Sequence, residues 1–232
     1  MTALHPPPTP AGRRLLEAAL RLLATEGPEA LQARRVATAV GASTMAVYTH
    51  FGGMGQLVAA LAEQGHQDIA AAFAAWPETA DEVADLFTMA FAYRDFARTN
   101  PDLYRLMFGL AAPGGRRRPP LDLTQDQQVP AASPAFGQLV GAVTRAARGG
   151  RVTVPDPLPM SLQLWSELHG YVLLETAGYF GPDGAFELVL VPMAINTMVA
   201  FGDDRAAAVA SAGHAVARRA ERAASEGRAA QE

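Results

Sequence analysis

Apolar positions recur along the chain at helical spacing almost throughout. Leu15, Leu16, Ala19, Leu22 and Leu23 form a stripe on one helix face. Thr9-Pro10 offers that helix a start, with proline at the first helical position, and Glu26-Gly27-Pro28 stops it. Two shorter segments follow. Val36, Ala37 and Val40 share a face on the first. On the second, predicted from Thr44 to His50, Val47 and Phe51 share a face, leaving Thr44, Met45, Tyr48 and Thr49 largely on the other. Between them Gly41 takes positive φ without steric cost, and Ser43 is a candidate N-cap for the second helix. The pattern is a helix-turn-helix, whose second helix has the size of the DNA major groove.

After Gly52-Gly53 the period predicts a long helix over 55–75, ended by Trp76-Pro77. The next, over 79–99, carries Val83, Leu86, Phe87, Ala90, Phe91 and Phe96 on its apolar side; a short one over 101–110 carries Leu103, Leu106 and Met107. Residues 111–134 are rich in Pro, Gly and Gln with little apolar period, which reads as a loop or disordered linker. Further helices are expected over 134–148, 160–180, 185–201 and 203–223. The last opens on an aspartate cap, with Arg218, Arg219 and Arg222 near its end, where the helix dipole favours cations. No strand and no internal repeat emerges. The fold class is all-α, with about ten helices.

Composition narrows the function. Half the residues are hydrophobic and there is no cysteine, so disulfides, thiolate metal sites and cysteine nucleophiles are excluded. No apolar run reaches the roughly 20 residues of a membrane span, and the N-terminus lacks a secretory pattern, so a cytoplasmic protein is expected. All 19 basic residues are arginine, and the net charge is −4. Residues 1–65 carry five arginines against Glu17, Glu26, Glu29 and Glu63, so the acidic excess lies in the remainder. That head is only weakly basic, although phosphate neutralisation normally supplies much of DNA affinity.

The run A-x-x-V-G-A-S-x-x-x-V-Y-x-H-F, Ala37 to Phe51, resembles the DNA-binding head of the TetR family of one-component repressors. The preceding helix, Arg13 to Glu26, and the segment Leu57 to Ala62 fit the family's first and fourth helices. The resemblance implies a disordered arm at 1–9, a three-helix helix-turn-helix DNA-binding domain at 10–55, a helical effector-binding and dimerisation domain at 56–223, and a disordered tail at 224–232. It places Thr44, Met45, Ala46, Tyr48, Thr49 and His50 at DNA-contacting positions and Val47 and Phe51 in the core. Thr44 and Thr49 suit base edges or phosphates, Met45 and Ala46 thymine methyls, and Tyr48 and His50 phosphate oxygens. Arg34, Arg35 and Ser43 complete the candidate contact set. Core packing for Tyr48 and His50, and plain solvation for the two arginines, remain open readings. The family usually has a lysine at the start of its fourth helix; the matching residue here is Met54. Gln32 stands where a Ser or Thr usually caps the second helix, and is a weaker cap.

In W-S-E-L-H-G, Trp165, His169 and Gly170 resemble the Trp…His-Gly pattern of one TetR subgroup. Trp165, His169, Val172, Thr176 and Tyr179 fall on one helical face, and the helix is apolar nearly all round, so it is expected to be buried on more than one side. By resemblance it packs on a ligand core and on a second subunit, with Gly170 permitting close approach. Effector-lining candidates are Met89, Phe91, Tyr93, Tyr104, Met107, Phe108, Trp165 and His169, each of which also reads as ordinary core. Few charges are expected on the buried faces, so the implied effector is apolar or aromatic.

Three functions compete. The first is a ligand-responsive repressor that binds a palindromic operator as a homodimer. The second, motivated by the weak charge and Met54, is a helical small-molecule-binding protein with a weakened or lost DNA-binding function. The third, an enzyme, finds no H-E-x-x-H, no Walker loop, no G-x-S-x-G and no clustered metal ligands, so neither cofactor nor metal is expected.

Overall fold

The computed structural model describes residues 9–110, 133–181 and 185–229. The expected arm before Thr9, most of the expected 111–134 linker and the last three residues lie outside them. The described residues form ten α-helices and no strand. We number them α1 (Pro10–Glu26), α2 (Ala33–Ala39), α3 (Met45–Phe51), α4 (Met54–Ala74), α5 (Glu82–Thr99), α6 (Pro101–Met107), α7 (Pro134–Arg148), α8 (Pro157–Thr176), α9 (Val191–Ala200) and α10 (Arg205–Ala229). By contact the described residues divide into one unit of 9–68 and 97–110 and another of 69–96, 133–181 and 185–229, a cut that runs within α4 and α5.

The first unit is built on the predicted stripes. Leu15, Leu16, Ala19 and Leu23 of α1 are buried together with Val36 and Ala37 of α2, Val47 and Phe51 of α3, and Leu57 and Leu61 of α4. The helix-turn-helix reversal is a Schellman turn: Gly41 has φ 68°, its N–H donates to Thr38 O, and Ala42 N–H donates to Ala37 O. α6 joins this unit, burying Leu103, Tyr104, Leu106 and Met107. Gly65 of α4 makes room there, since a Cβ would lie 2.9 Å from Met107 Cγ.

The core of the second unit draws Val83, Leu86, Phe87 and Phe91 from α5, Ala142, Val143 and Ala146 from α7, Met160 from α8, and Ile195 and Met198 from α9. α10 adds Ala208, Ala212 and Ala215 on one face.

Several boundaries move, each for a local reason. α5 begins at Glu82 rather than 79 because Asp81 Oδ1 accepts from Ala84 N–H and fixes the cap there. α8 ends at Thr176, not at 180. Gly178, at φ 86°, donates to Glu175 O, and Tyr179 N–H donates to Leu174 O, a second Schellman turn that removes Tyr179 from the helical stripe. The helix expected from 185 opens with a π-turn over Phe186–Leu190, because Pro192 has no N–H and its ring crowds the carbonyl four residues back.

α10 runs on to Ala229, so residues 224–229 are helical where a disordered tail was expected. Alanine and arginine favour helix, and Arg222 and Glu226 pair at i, i+4. Its cap is Asp204, accepting from Ala207 N–H, while Asp203 is turned inward. Arg218, Arg219 and Arg222 therefore sit in mid-helix, where side-chain pairing rather than the dipole accounts for them.

Candidate nucleic-acid interface and effector residues

α3 is seven residues long and has two unlike sides. Val47 and Phe51 are buried against the first unit's core, while Met45 is 66 % and Tyr48 53 % exposed, and Ser43, Thr44 and Thr49 are exposed beside them. Ala46 and His50 are half-buried. A thioether left this far in water has no packing role within the unit. The Tyr48 ring rests beside Gly53, where a Cβ would lie 3.7 Å from Cε1.

The expected Ser43 cap is not made. The cap position falls on Thr44, without a side-chain bond; the turn closes instead through Ala46 N–H to Ser43 O and Val47 N–H to Thr44 O. This i→i+3 closure satisfies the first donors with backbone and leaves both hydroxyls outside. α3 ends on Gly52 at φ 76°, whose N–H donates to Tyr48 O.

Of the two candidate arginines, Arg34 is exposed, and Arg35 is bound to Glu26, which offsets its charge. Gln32 makes no cap bond and donates to Glu29 O instead. Met54 opens α4 half-buried. His50 Nδ1 lies 3.2 Å from Thr9 Oγ1, a contact that sequence spacing does not reveal.

Five effector candidates fall in the second unit. Trp165 and His169, one turn apart on α8, stack with ring centroids 5.2 Å apart and planes 18° apart, and the Tyr93 hydroxyl lies 3.2 Å from His169 Nδ1. Phe136 of α7 meets Trp165 edge-on at 6.3 Å; the sequence reading did not single it out. Burial holds the His169 imidazole below its ordinary value, favouring the neutral ring. Phe91 packs on Phe186 at 4.8 Å, and Met89 borders the same core. The remaining three, Tyr104, Met107 and Phe108, belong to the first unit, where Phe108 contacts Tyr104 and His66 and Met107 covers Gly65.

The buried faces carry more charge than expected. Arg94 is 2 % exposed, donates to both Glu175 oxygens, and lies 5.1 Å from the Phe186 ring. Burial pushes the Glu167 carboxyl above its ordinary value, only partly opposed by the Thr197 hydroxyl that donates to it. A larger network joins Arg145 and Arg218 to Asp85, and Arg151 to Asp81 and Asp203. Trp76 lies beneath Arg218 and Arg222.

Residues 15–61 match the family model of bacterial regulatory proteins, tetR family, and residues 86–193 match the tetracyclin repressor-like C-terminal domain. The chain belongs to the TetR family. It is a transcriptional regulator with a helix-turn-helix DNA-binding domain followed by a larger ligand-binding domain. Among solved structures, a protein of unknown function from Rhodococcus sp. RHA1 is 27 % identical, covering 88 % of this chain and 100 % of that one at a TM-score of 0.64. Two more distant structures share the fold. The TetR family regulator PfmR from Thermus thermophilus is 20 % identical, covering 80 % of this chain and 97 % of its own at TM-score 0.53. A gamma-butyrolactone receptor described as ArpA-like is 18 % identical, covering 88 % and 96 % at TM-score 0.53. No curated protein matches the sequence. Among the described residues, no helix is long and apolar enough to cross a membrane, and no group of three or more His, Asp or Glu could hold a metal ion.

Proposed function

We propose that the protein is a cytoplasmic, homodimeric repressor that binds palindromic operator DNA and is released by a small apolar or aromatic effector. The observation that carries this reading is the outward side of α3. Thr44, Met45, Tyr48 and Thr49 stand exposed in a row that the first unit's core leaves uncovered. In this reading Met45 and Ala46 pack on thymine methyls, Ser43, Thr44 and Thr49 bond base edges or phosphates, and Tyr48, His50, Arg34 and Arg35 position the backbone. With no Arg, Asn or Gln on α3 for bidentate base reading, specificity leans on hydroxyls, apolar contacts and DNA shape.

The Tyr93–Trp165–His169 group with Phe136, together with Phe91 and Met89 of the same unit, is assigned to the effector. The charges nearby are already taken, Arg94 by Glu175 and Glu167 by Thr197, which leaves aromatic faces as the recognition surface. The homodimer is supported by apolar side chains left in water near the end of α8 and before α9: Leu174 at 46 %, Tyr179 at 77 % and Leu188 at 81 % exposure. Gly170 has open space above its Cα, room for a partner's backbone. Effector binding then favours a conformation whose two α3 helices no longer match successive major grooves, about 34 Å apart. No catalytic role is assigned.

The test is titration of the purified protein into the operator recovered by random-sequence selection, with a scrambled duplex as control. Saturable, sequence-dependent binding that is abolished by the Tyr48→Ala, Thr49→Ala pair supports the regulator. Binding no better than to the scrambled duplex refutes it. It would favour instead a small-molecule-binding protein with a weakened head, for which Met54 and the Glu26-bound Arg35 speak. A strict monomer by light scattering refutes the dimer.

A further inference from the structure

Thr9 and His50 are 41 positions apart, at the cap of α1 and in the last turn of α3, with Thr9 Oγ1 3.2 Å from His50 Nδ1. The same oxygen accepts from Gly12 N–H at 3.1 Å. A hydroxyl has two lone pairs and one proton. Gly12 occupies a lone pair, and the proton has Nδ1 as an acceptor within reach. The second lone pair of Oγ1 can accept from an Nδ1–H tautomer; in the other tautomer donation runs one way, from Gly12 N–H to the Thr9 hydroxyl to His50 Nδ1, each bond polarising the next. A neutral imidazole that accepts at Nδ1 carries its proton on Nε2. Among the described residues nothing takes up Nε2 of His50.

We infer that Thr9 is a positioning residue for DNA binding, its hydroxyl orienting His50 so that Nε2–H is held ready to donate to a phosphate oxygen. The inference rests on the regulator reading above. It gives Thr9 two tasks, capping α1 and setting the ring of the recognition helix. It also places an oriented phosphate donor in a head whose cations are few. Such a donor fixes register on any duplex, because phosphate contacts carry no sequence information.

Two measurements test it. Two-bond proton–nitrogen spectra of the DNA-free protein read each histidine's tautomer, with His50 assigned by the signals lost in His50→Gln. The expected result is a proton on Nε2 and a hydrogen-bonded Nδ1, with the Nδ1 shift retained in Thr9→Ser and lost in Thr9→Val. A proton on Nδ1, or no change in Thr9→Val, overturns the inference.

On mixed-sequence duplex DNA at low salt, Thr9→Val should weaken binding by roughly five- to thirtyfold, the cost of loosening one such contact in each of two heads. In a His50→Ala background the same change should cost nothing further. Equal losses in both backgrounds would mean that Thr9 matters only as a cap, and would overturn the inference. Thr9→Ser, which keeps the hydroxyl, should bind like the wild type, and circular dichroism reports whether each variant is folded. Failure of the regulator reading has a different signature: wild-type protein that binds neither this duplex nor a selected operator. The role given to the contact then falls with it, whatever the spectra show.

Discussion

Arg94→Met tests whether the charged core of the second unit is as interdependent as its geometry implies. Arg94 Nε lies 3.1 and 3.0 Å from the two Glu175 oxygens and Nη2 lies 2.5 Å from Oε1, with the side chains only 3 % and 8 % exposed. Methionine keeps most of the aliphatic stem and its packing on Phe186, but it leaves the Glu175 carboxylate without its main partner where water reaches poorly. Removing one member of such a pair costs about 3–5 kcal/mol, whereas replacing both by apolar groups of similar volume is often close to neutral. Arg94→Met and Glu175→Leu should therefore each cost about 3–5 kcal/mol, and the double variant far less than their sum. At ~2–4 °C per kcal/mol for a chain of this size, the single variants should lose roughly 6–20 °C of Tm. Denaturant unfolding followed by circular dichroism, with m-values compared across the four proteins, gives the cycle. Single costs under about 1 kcal/mol, or strict additivity, would refute the claim that each charge is held in place by the other.

Other consequences are open to similar measurements. Gly65→Ala drives a Cβ to 2.9 Å from Met107 Cγ, so it should destabilise by about 1–3 kcal/mol, and in a Met107→Ala background the same change should cost less Tm. At Asp85, burial raises the carboxyl, but the Thr79 N–H and hydroxyl, Arg145 and Arg218 together hold it below its ordinary value. A depressed folded value contributes stability that is complete above the unfolded value near 4 and is lost as pH falls through the folded one. Asp85→Asn should therefore flatten the acid limb of the stability curve, and an unchanged limb would count against the network. Glu167 is the opposite case, since its raised carboxyl costs stability as pH climbs from the unfolded value through the folded one. Glu167→Gln should accordingly raise Tm near pH 7 but not near pH 4.

Local signals were legible in the sequence and non-local ones were not. The stripe from Leu15 to Leu23, the reversal at Gly41 and the inward Val47 and Phe51 all follow from neighbours within a few residues, and all appear in the fold. Gly178 carried the same kind of signal as Gly41, but the apolar period ran past it and hid the helix end. Trp165 and His169 meet because they are one turn apart, while Tyr93 and Phe136 reach them from α5 and α7, separations that no period encodes. The arginine–aspartate network is the extreme case. Its Arg151–Asp203 and Arg218–Asp85 bonds span 52 and 133 positions, and charges at such distances read one at a time as a solvated surface or a helix end.

That network also changes what the net charge means for DNA binding. Asp81, Asp85, Asp95, Glu175 and Asp203 each accept from an arginine, so their charge is cancelled locally and the acidic excess outside the head lies on the other carboxylates. The head suffers the reverse effect, because Glu26 takes Arg35 and Met54 brings no cation to the start of α4. What α3 offers is mostly hydroxyl, on Thr44, Tyr48 and Thr49, beside the ring of His50. Neutral donors bond phosphate without displacing its condensed counterions, each of which would add about −0.9 to the salt slope. On the function proposed above, such a head binds through shape and hydrogen bonds more than through charge. Its affinity then depends on how well those few donors are held in place, which is why a single oriented imidazole carries weight here that it would not carry among lysines.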